Sequence, residues 1–179
     1  NDLLSRIDYY HYNVQGKADE ILNGVVESGV PVMILAAYNV QRTPIIPTWK
    51  NDSDETVDTK YASVGATVAD LGETLSDGYE QKVKDGHNHL SADNRIDAST
   101  CALPENTWFV KDMLHSTTHD GHGVFYDKLF ASEEQLTVFD MEEYPQFMQN
   151  DTINQTFVPV AELTNPIEDA FNMMQTIPS

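Results

Sequence analysis

The 179-residue chain carries 29 acidic and 10 basic side chains, a formal charge of −19. A surface of that sign repels phosphate backbones and anionic lipid heads, and no local basic cluster offsets it, so binding to nucleic acid or a membrane surface is not expected. Apolar residues at 40% are enough for a core and charged residues at 22% are ordinary, which sets aside disordered and collagen-like chains and fits a single domain over 1–179 with a polar tail over 151–179.

The lone cysteine, Cys101, makes neither an internal disulfide nor a Cys-based zinc site. The longest apolar run, Val30 to Tyr38, is about half the roughly 20 residues of a membrane-spanning helix and contains Pro31, so no integral membrane segment is expected. The chain begins at Asn1 without a basic-then-apolar leader, which reads as a processed product or a fragment.

In chain order, Lys17 to Ser28 places Ile21, Leu22, Val25 and Val26 at helical spacing, and Gly29 is the stop signal of an amphipathic helix. Val30 to Tyr38 then has the length and near-continuous apolarity of a strand buried on both faces, as in a parallel sheet. Asn39 to Asp58, with Pro44, Pro47 and the polar run Asn51-Asp-Ser-Asp-Glu55, reads as a long surface loop. Tyr61 to Leu75 fits a helix or a packed loop, and Asp77 to Pro104 is loop-like in its Asp, Asn, Gly and Ser content. Thr107 to Leu114 has the β-branched and aromatic residues of a second strand, ending at His115. Beyond it, His119-Asp-Gly-His-Gly123 is a turn, Val124 to Phe130 is a short strand or helix, and Ser132-Glu-Glu-Gln has the form of a helix capping box. Helix, turn and buried strand in this order point to the α/β class.

Both expected core strands empty into loops that carry ionisable groups: the first leads to Asp52, Asp54 and Asp58, the second to His115. In open α/β sheets the loops at the carboxyl ends of the strands form the ligand crevice, so an acid and a histidine would face one site. A histidine oriented by a carboxylate is two thirds of a nucleophilic triad. The order acid then histidine is that of α/β hydrolases, whose nucleophilic Ser lies upstream, and no Gly-x-Ser-x-Gly occurs in the 179 residues.

Five segments, Ser53-Asp-Glu-Thr-Val-Asp-Thr59, Gly65-Ala-Thr-Val-Ala-Asp-Leu-Gly72, Ile96-Asp-Ala-Ser-Thr-Cys-Ala-Leu-Pro104, Thr107-Trp-Phe-Val-Lys-Asp-Met-Leu-His115 and Val138-Phe-Asp-Met-Glu-Glu-Tyr-Pro-Gln-Phe147, resemble the C-terminal half of bacterial α/β-hydrolase lipases and esterases, distantly similar to the lecithin:cholesterol acyltransferase group. The resemblance covers roughly residues 20 to 148. It implies the C-terminal part of a mostly parallel α/β-hydrolase sheet, hydrolysis of lipid-type carboxylic esters without a cofactor, and an exported protein. It implies Asp54 as the triad acid, because Asp54-Glu-Thr-Val57 stands where the family has Asp-Gly-x-Val, and His115 as the general base after a Trp-Phe-x-Lys strand. Glu55 departs from the family's Gly, a residue suited to a positive backbone angle, and this leaves Asp58 as a competitor for the acid. The implied partner is an N-terminal half carrying the nucleophile, without which this chain would turn over no ester.

Other chemistries remain in view. His115, His119 and His122 have zinc-like spacing on a helix, which Gly121 and Gly123 break; His87-Asn-His89 offers two ligands but reads more readily as a polar loop. Asp93-Asn-Arg-Ile-Asp97 spaces oxygens as a calcium loop does, with Arg95 opposing a cation. The aromatics Trp49, Trp108, Tyr9 and Tyr10 suit an acyl chain or a sugar, or simply the core, and Cys101 reads as a buried thiol. The alternative function is a non-catalytic, acidic, extracellular binding module, calcium-assisted in one version.

Overall fold

The computed structural model describes residues 2–41, 50–118, 122–150 and 153. Helix α1 (Asp2–Asn13) is followed by α2 (Ala18–Glu27), and α2 ends on a glycine cap. Gly29, at φ 84°, donates its amide to Val26 O while the Val30 amide reaches Val25 O, the paired bonds of a Schellman motif. The α2 stripe half-buries Leu22, Val25 and Val26, whereas Ile21 stays largely exposed. Helix α1, for which the sequence reading had no expectation, buries none of its residues, and Tyr9 and Tyr10 are exposed on it.

Strand β1 (Ile34–Tyr38) starts later than the apolar run, since Pro31 lies in the preceding extended stretch and Val30 is exposed. It pairs in parallel with β4 (Thr107–Lys111), Ile34 opposite Thr107 and Tyr38 opposite Lys111. Strand β5 (Phe147–Gln149) adds to the far side of β4, also parallel, giving the order β1-β4-β5. Mixed helices and this parallel sheet put the chain in the α/β class.

The two-residue period of the strands explains why their apolar runs are nearly continuous. Ala37, Trp108, Val110 and Met148 face one side, where Phe125 and Leu129 of helix α4 (Gly123–Ala131) join Met141 and Tyr144. Ala36, Tyr38 and Phe109 face the other, against Ala66, Ile96, Ala98 and Cys101. Both faces are therefore covered, as a parallel sheet requires. The second cover comes from the excursion between β1 and β4, with the short helix α3 (Thr59–Ala62) and an antiparallel pair, β2 (Thr67–Val68) on β3 (Ile96–Asp97). The Tyr61–Leu75 and Asp77–Pro104 stretches thus hold mainly packed irregular chain.

Three local expectations change. The Ser132 capping box starts no helix: Ser132 closes α4, and its hydroxyl instead donates to Glu134 O and accepts the Glu134 amide. Val124 to Phe130 is helical, within α4. The 39–58 loop is no wholly exposed one, because Asp52, Ser53 and Asp54 are buried against the end of β1. Pro44, Pro47, Trp49, His119 and the 151–179 tail apart from Ile153 lie outside the described residues, and Ile153 sits in the α4-side core. No helix among the described residues is long and apolar enough to cross a membrane.

Candidate functional site

The two parallel strands end in the same manner. One residue past Tyr38, Asn39 takes φ 68°, and one residue past its partner Lys111, Asp112 takes φ 61°. These left-handed residues, of the two types that tolerate the region best, turn both chains off the sheet at one edge. They are joined there by a 2.5 Å bond from Asn39 Nδ2 to Asp112 Oδ1.

From β4 the chain reaches His115 four residues beyond Lys111, at the start of a 3-10 turn spanning His115–Thr117. From β1 it leaves the sheet, passes through residues outside the described set and returns at residues 50–58. There the Val40 amide donates to Ser53 O at 3.0 Å and the Ser53 hydroxyl to Val40 O at 2.9 Å. Asp54 then sits beside His115. Its Oδ2 lies 2.8 Å from His115 Nδ1, and the His115 amide donates to the Asp54 carbonyl at 2.9 Å.

The Asp54 carboxylate is shaped for that contact. Oδ1 accepts the Thr56 amide at 2.9 Å and the Val57 amide at 2.7 Å, an Asx turn that spends one oxygen on the backbone and leaves the other for the ring. A carboxylate oxygen only accepts, so Oδ2 accepts and His115 Nδ1 carries the hydrogen. In the neutral ring, Nε2 is then the unprotonated, basic nitrogen. The Asp54 side chain is 7% exposed and the His115 ring 53%, which is the distribution a buried orienting acid and a solvent-reachable base need. Behind the ring, the Thr118 hydroxyl donates to His115 O and the Tyr126 hydroxyl to Thr118 O, tying the His115 turn to α4.

Glu55, where the resembled family has Gly, holds φ 84°. The backbone keeps the left-handed turn with a side chain in it, at a cost of about 1–2 kcal/mol. The substitution Glu55→Gly is therefore expected to raise stability by about 0.5–1 kcal/mol, less than the strain because glycine is freer in the unfolded chain. A thermal unfolding midpoint that falls instead would show that contacts of the Glu55 side chain outweigh the strain.

Asp58, the competing acid, accepts a 2.7 Å bond from Asn51 Nδ2 and lies at the N-cap of α3. Asp52 is buried beneath the site. Its Oδ1 accepts the Asn39 amide at 2.6 Å and the Thr59 hydroxyl at 3.1 Å, and its Oδ2 accepts Arg95 Nη2. Burial pushes the Asp52 carboxyl up, while the Asn39 amide and the Arg95 charge oppose that rise.

Residues of the other chemistries are otherwise engaged. Asp93 Oδ2 accepts Lys111 Nζ at 2.8 Å; burial raises the Asp93 carboxyl, but Lys111 and Ser91 hold it below the usual range. Asp97 accepts Ser99 and Tyr79 hydroxyls and the Lys82 amide. No three His, Cys, Asp or Glu residues among those described could hold a metal ion together. His89, expected in a polar loop, is fully buried: Nε2 lies 2.8 Å from Asp85 Oδ2 and Nδ1 2.8 Å from Gln146 Oε1. Asp85 is a local partner, but Gln146 lies 57 positions away, and no local pattern announces that bond. Cys101 is a buried thiol whose Sγ lies 3.1 Å from Ala98 O; burial raises its pKa. Trp108 is core.

The arrangement can orient an imidazole, stabilise its protonated form and offer Nε2 as a proton acceptor. No known protein family, curated protein or solved structure matches this chain.

Proposed function

We propose that this chain supplies the acid and base of a serine carboxylic-ester hydrolase of the α/β-hydrolase type, acting on lipid-type esters, with the nucleophilic serine upstream of Asn1. The observation that carries the reading is the 2.8 Å Asp54–His115 bond at the carboxyl ends of two adjacent parallel strands. The chain order of acid and base, and the depth of Asp54 against the half-exposed ring, agree with it.

In this reaction the serine oxygen attacks the ester carbonyl while His115 Nε2 takes its proton. The imidazolium, held by Asp54, passes that proton to the departing alkoxide, leaving an acyl-serine and a free alcohol. Water then attacks the acyl group, His115 again takes and returns a proton, and the carboxylic acid leaves. No cofactor enters. The acidic, lysine-poor surface suits an exported enzyme, and the partner is the nucleophile-bearing N-terminal half. In the described sheet β1 is an edge strand, the place where further strands of such a half would add.

The product of the complete reading frame is expected to react stoichiometrically with a fluorophosphonate ester probe at a serine N-terminal to this segment, located by peptide mass spectrometry. The 179-residue chain by itself is expected to take no label. A full-length protein that resists the probe while it is folded, or a label inside these 179 residues, overturns the proposal.

A further inference from the structure

The excursion from β1 to β4 is far longer than a connection between neighbouring parallel strands requires, and one of its side chains returns to the loop that carries Asp54. Arg95, 7% exposed, lies just before β3. It is anchored where it starts: its amide donates to Ser91 Oγ at 2.9 Å, and its carbonyl accepts the Ala69 amide at 2.9 Å. Its guanidinium then forks. Nη1 donates to Asn39 Oδ1, at the end of β1, and Nη2 to Asp52 Oδ2, two residues before Asp54.

We infer that Arg95 is a positioning residue for Asp54, clamping the acid loop to the strand end through Asp52 and Asn39. This rests on the acid–base reading given above. Three features carry it. Asn39 and Asp52 are separated by thirteen positions, and the Asn39 amide already donates to Asp52 Oδ1, so one planar fork closes a ring of contacts across the mouth of the loop. Asn39 also donates to Asp112, three residues before His115, so the same cluster touches the strand ends that bear the acid and the base. Finally, Asp52 and Arg95 are each almost fully buried, so neither charge is tolerated without the other and the clamp has no loosened, solvent-paired alternative. A lysine would reach one acceptor at a time, as a point charge.

The measurement is the proton NMR signal of His115 Nδ1–H in the full-length protein, with its rate of exchange with water. The signal reports the Asp54 bond and does not follow stability as such. Three variants are compared with the parent chain: Asp54→Asn, Arg95→Lys, and the charge-neutral double variant Asp52→Asn/Arg95→Met, which keeps an acceptor for the Asn39 amide and leaves no buried charge unpaired. With circular dichroism showing each folded, exchange at Nδ1–H is expected to quicken about tenfold in the double variant, roughly the loss of one net hydrogen bond, and by less in Arg95→Lys. An unchanged signal in both Arg95 variants, together with a lost signal in Asp54→Asn, overturns the role of Arg95 and leaves the acid–base pair standing. An unchanged signal in Asp54→Asn overturns the pair itself.

Discussion

Asp54→Asn is expected to lower ester turnover by the full-length enzyme about ten-thousandfold, with kcat taking the loss and KM nearly constant. The size follows from which atoms the change exchanges. Oδ1 of Asp54 accepts two backbone amides, from Thr56 and Val57, and an asparagine must put its carbonyl oxygen there because its amide nitrogen cannot accept. The NH2 group then faces His115 Nδ1, where the carboxylate oxygen had been. A donor at that place requires a lone pair on Nδ1, so the ring proton moves to Nε2, the nitrogen that has to receive the serine proton. The loop keeps its shape while the base carries the wrong tautomer. A ten-thousandfold loss corresponds to about 5.5 kcal/mol of transition-state stabilisation, more than any exposed ion pair provides. His115→Ala removes the base altogether and is expected to cost about a millionfold. Asp58→Asn is the control: its carboxylate serves Asn51, so turnover is expected to stay within about twofold. If Asp54→Asn keeps more than about a tenth of the activity while Asp58→Asn loses most of it, the acid is Asp58.

How far the sequence reveals this arrangement depends on the range of the interactions that make it. The α2 stripe with Gly29, and the apolar runs that became β1 and β4, are local patterns, and local patterns are what periodicity reads. The acid and the histidine are legible as candidates because each lies in the loop that follows an apolar, strand-like run. Their 2.8 Å contact is not, since it depends on the parallel register of Tyr38 with Lys111 and on the return of residues 50–58 to Val40. The Ser132 signal failed for the same reason in reverse: a capping box is a local preference, and the 132–138 segment is recruited into long-range contacts, with Gln135 bonded to Val32 and the Val138 amide to Glu105 O. Helix α1 carries Leu3, Ile7 and Tyr10 at helical spacing, a local stripe as legible as that of α2, yet it buries none of its residues. In the sequence Arg95 stands only as a charge that weakens a calcium loop. Its burial against Asp52, 43 positions away, is invisible until the excursion is folded back on the sheet.

Trp108→Ala is expected to destabilise the chain by about 3–5 kcal/mol. Trp108 is fully buried at the second position of β4, the strand that pairs with both β1 and β5. Its ring meets Phe125 edge-on at 6.0 Å between centroids, and Phe125 meets Tyr144 in the same manner at 4.9 Å, so one indole links the sheet to α4 and to the chain leading into β5. Its Nε1 donates to Tyr144 O at 3.0 Å; truncation leaves that carbonyl buried with no indole donor and opens a cavity that the β-sheet backbone is too constrained to fill. Against a total stability of about 5–15 kcal/mol, the loss is from about a fifth to the whole of what holds the chain folded. With a urea dependence of about 1–3 kcal/mol per molar, the unfolding midpoint should fall by roughly 1–5 M. Trp108→Phe separates the two contributions, because it restores most of the edge contact with Phe125 and none of the bond to Tyr144, and its midpoint should lie between the other two. If Trp108→Ala moves the midpoint by less than about 0.5 M, the α4-side cluster contributes little. The sheet that places Asp54 beside His115 would then be held chiefly from its other face, by Tyr38, Phe109 and Ile96.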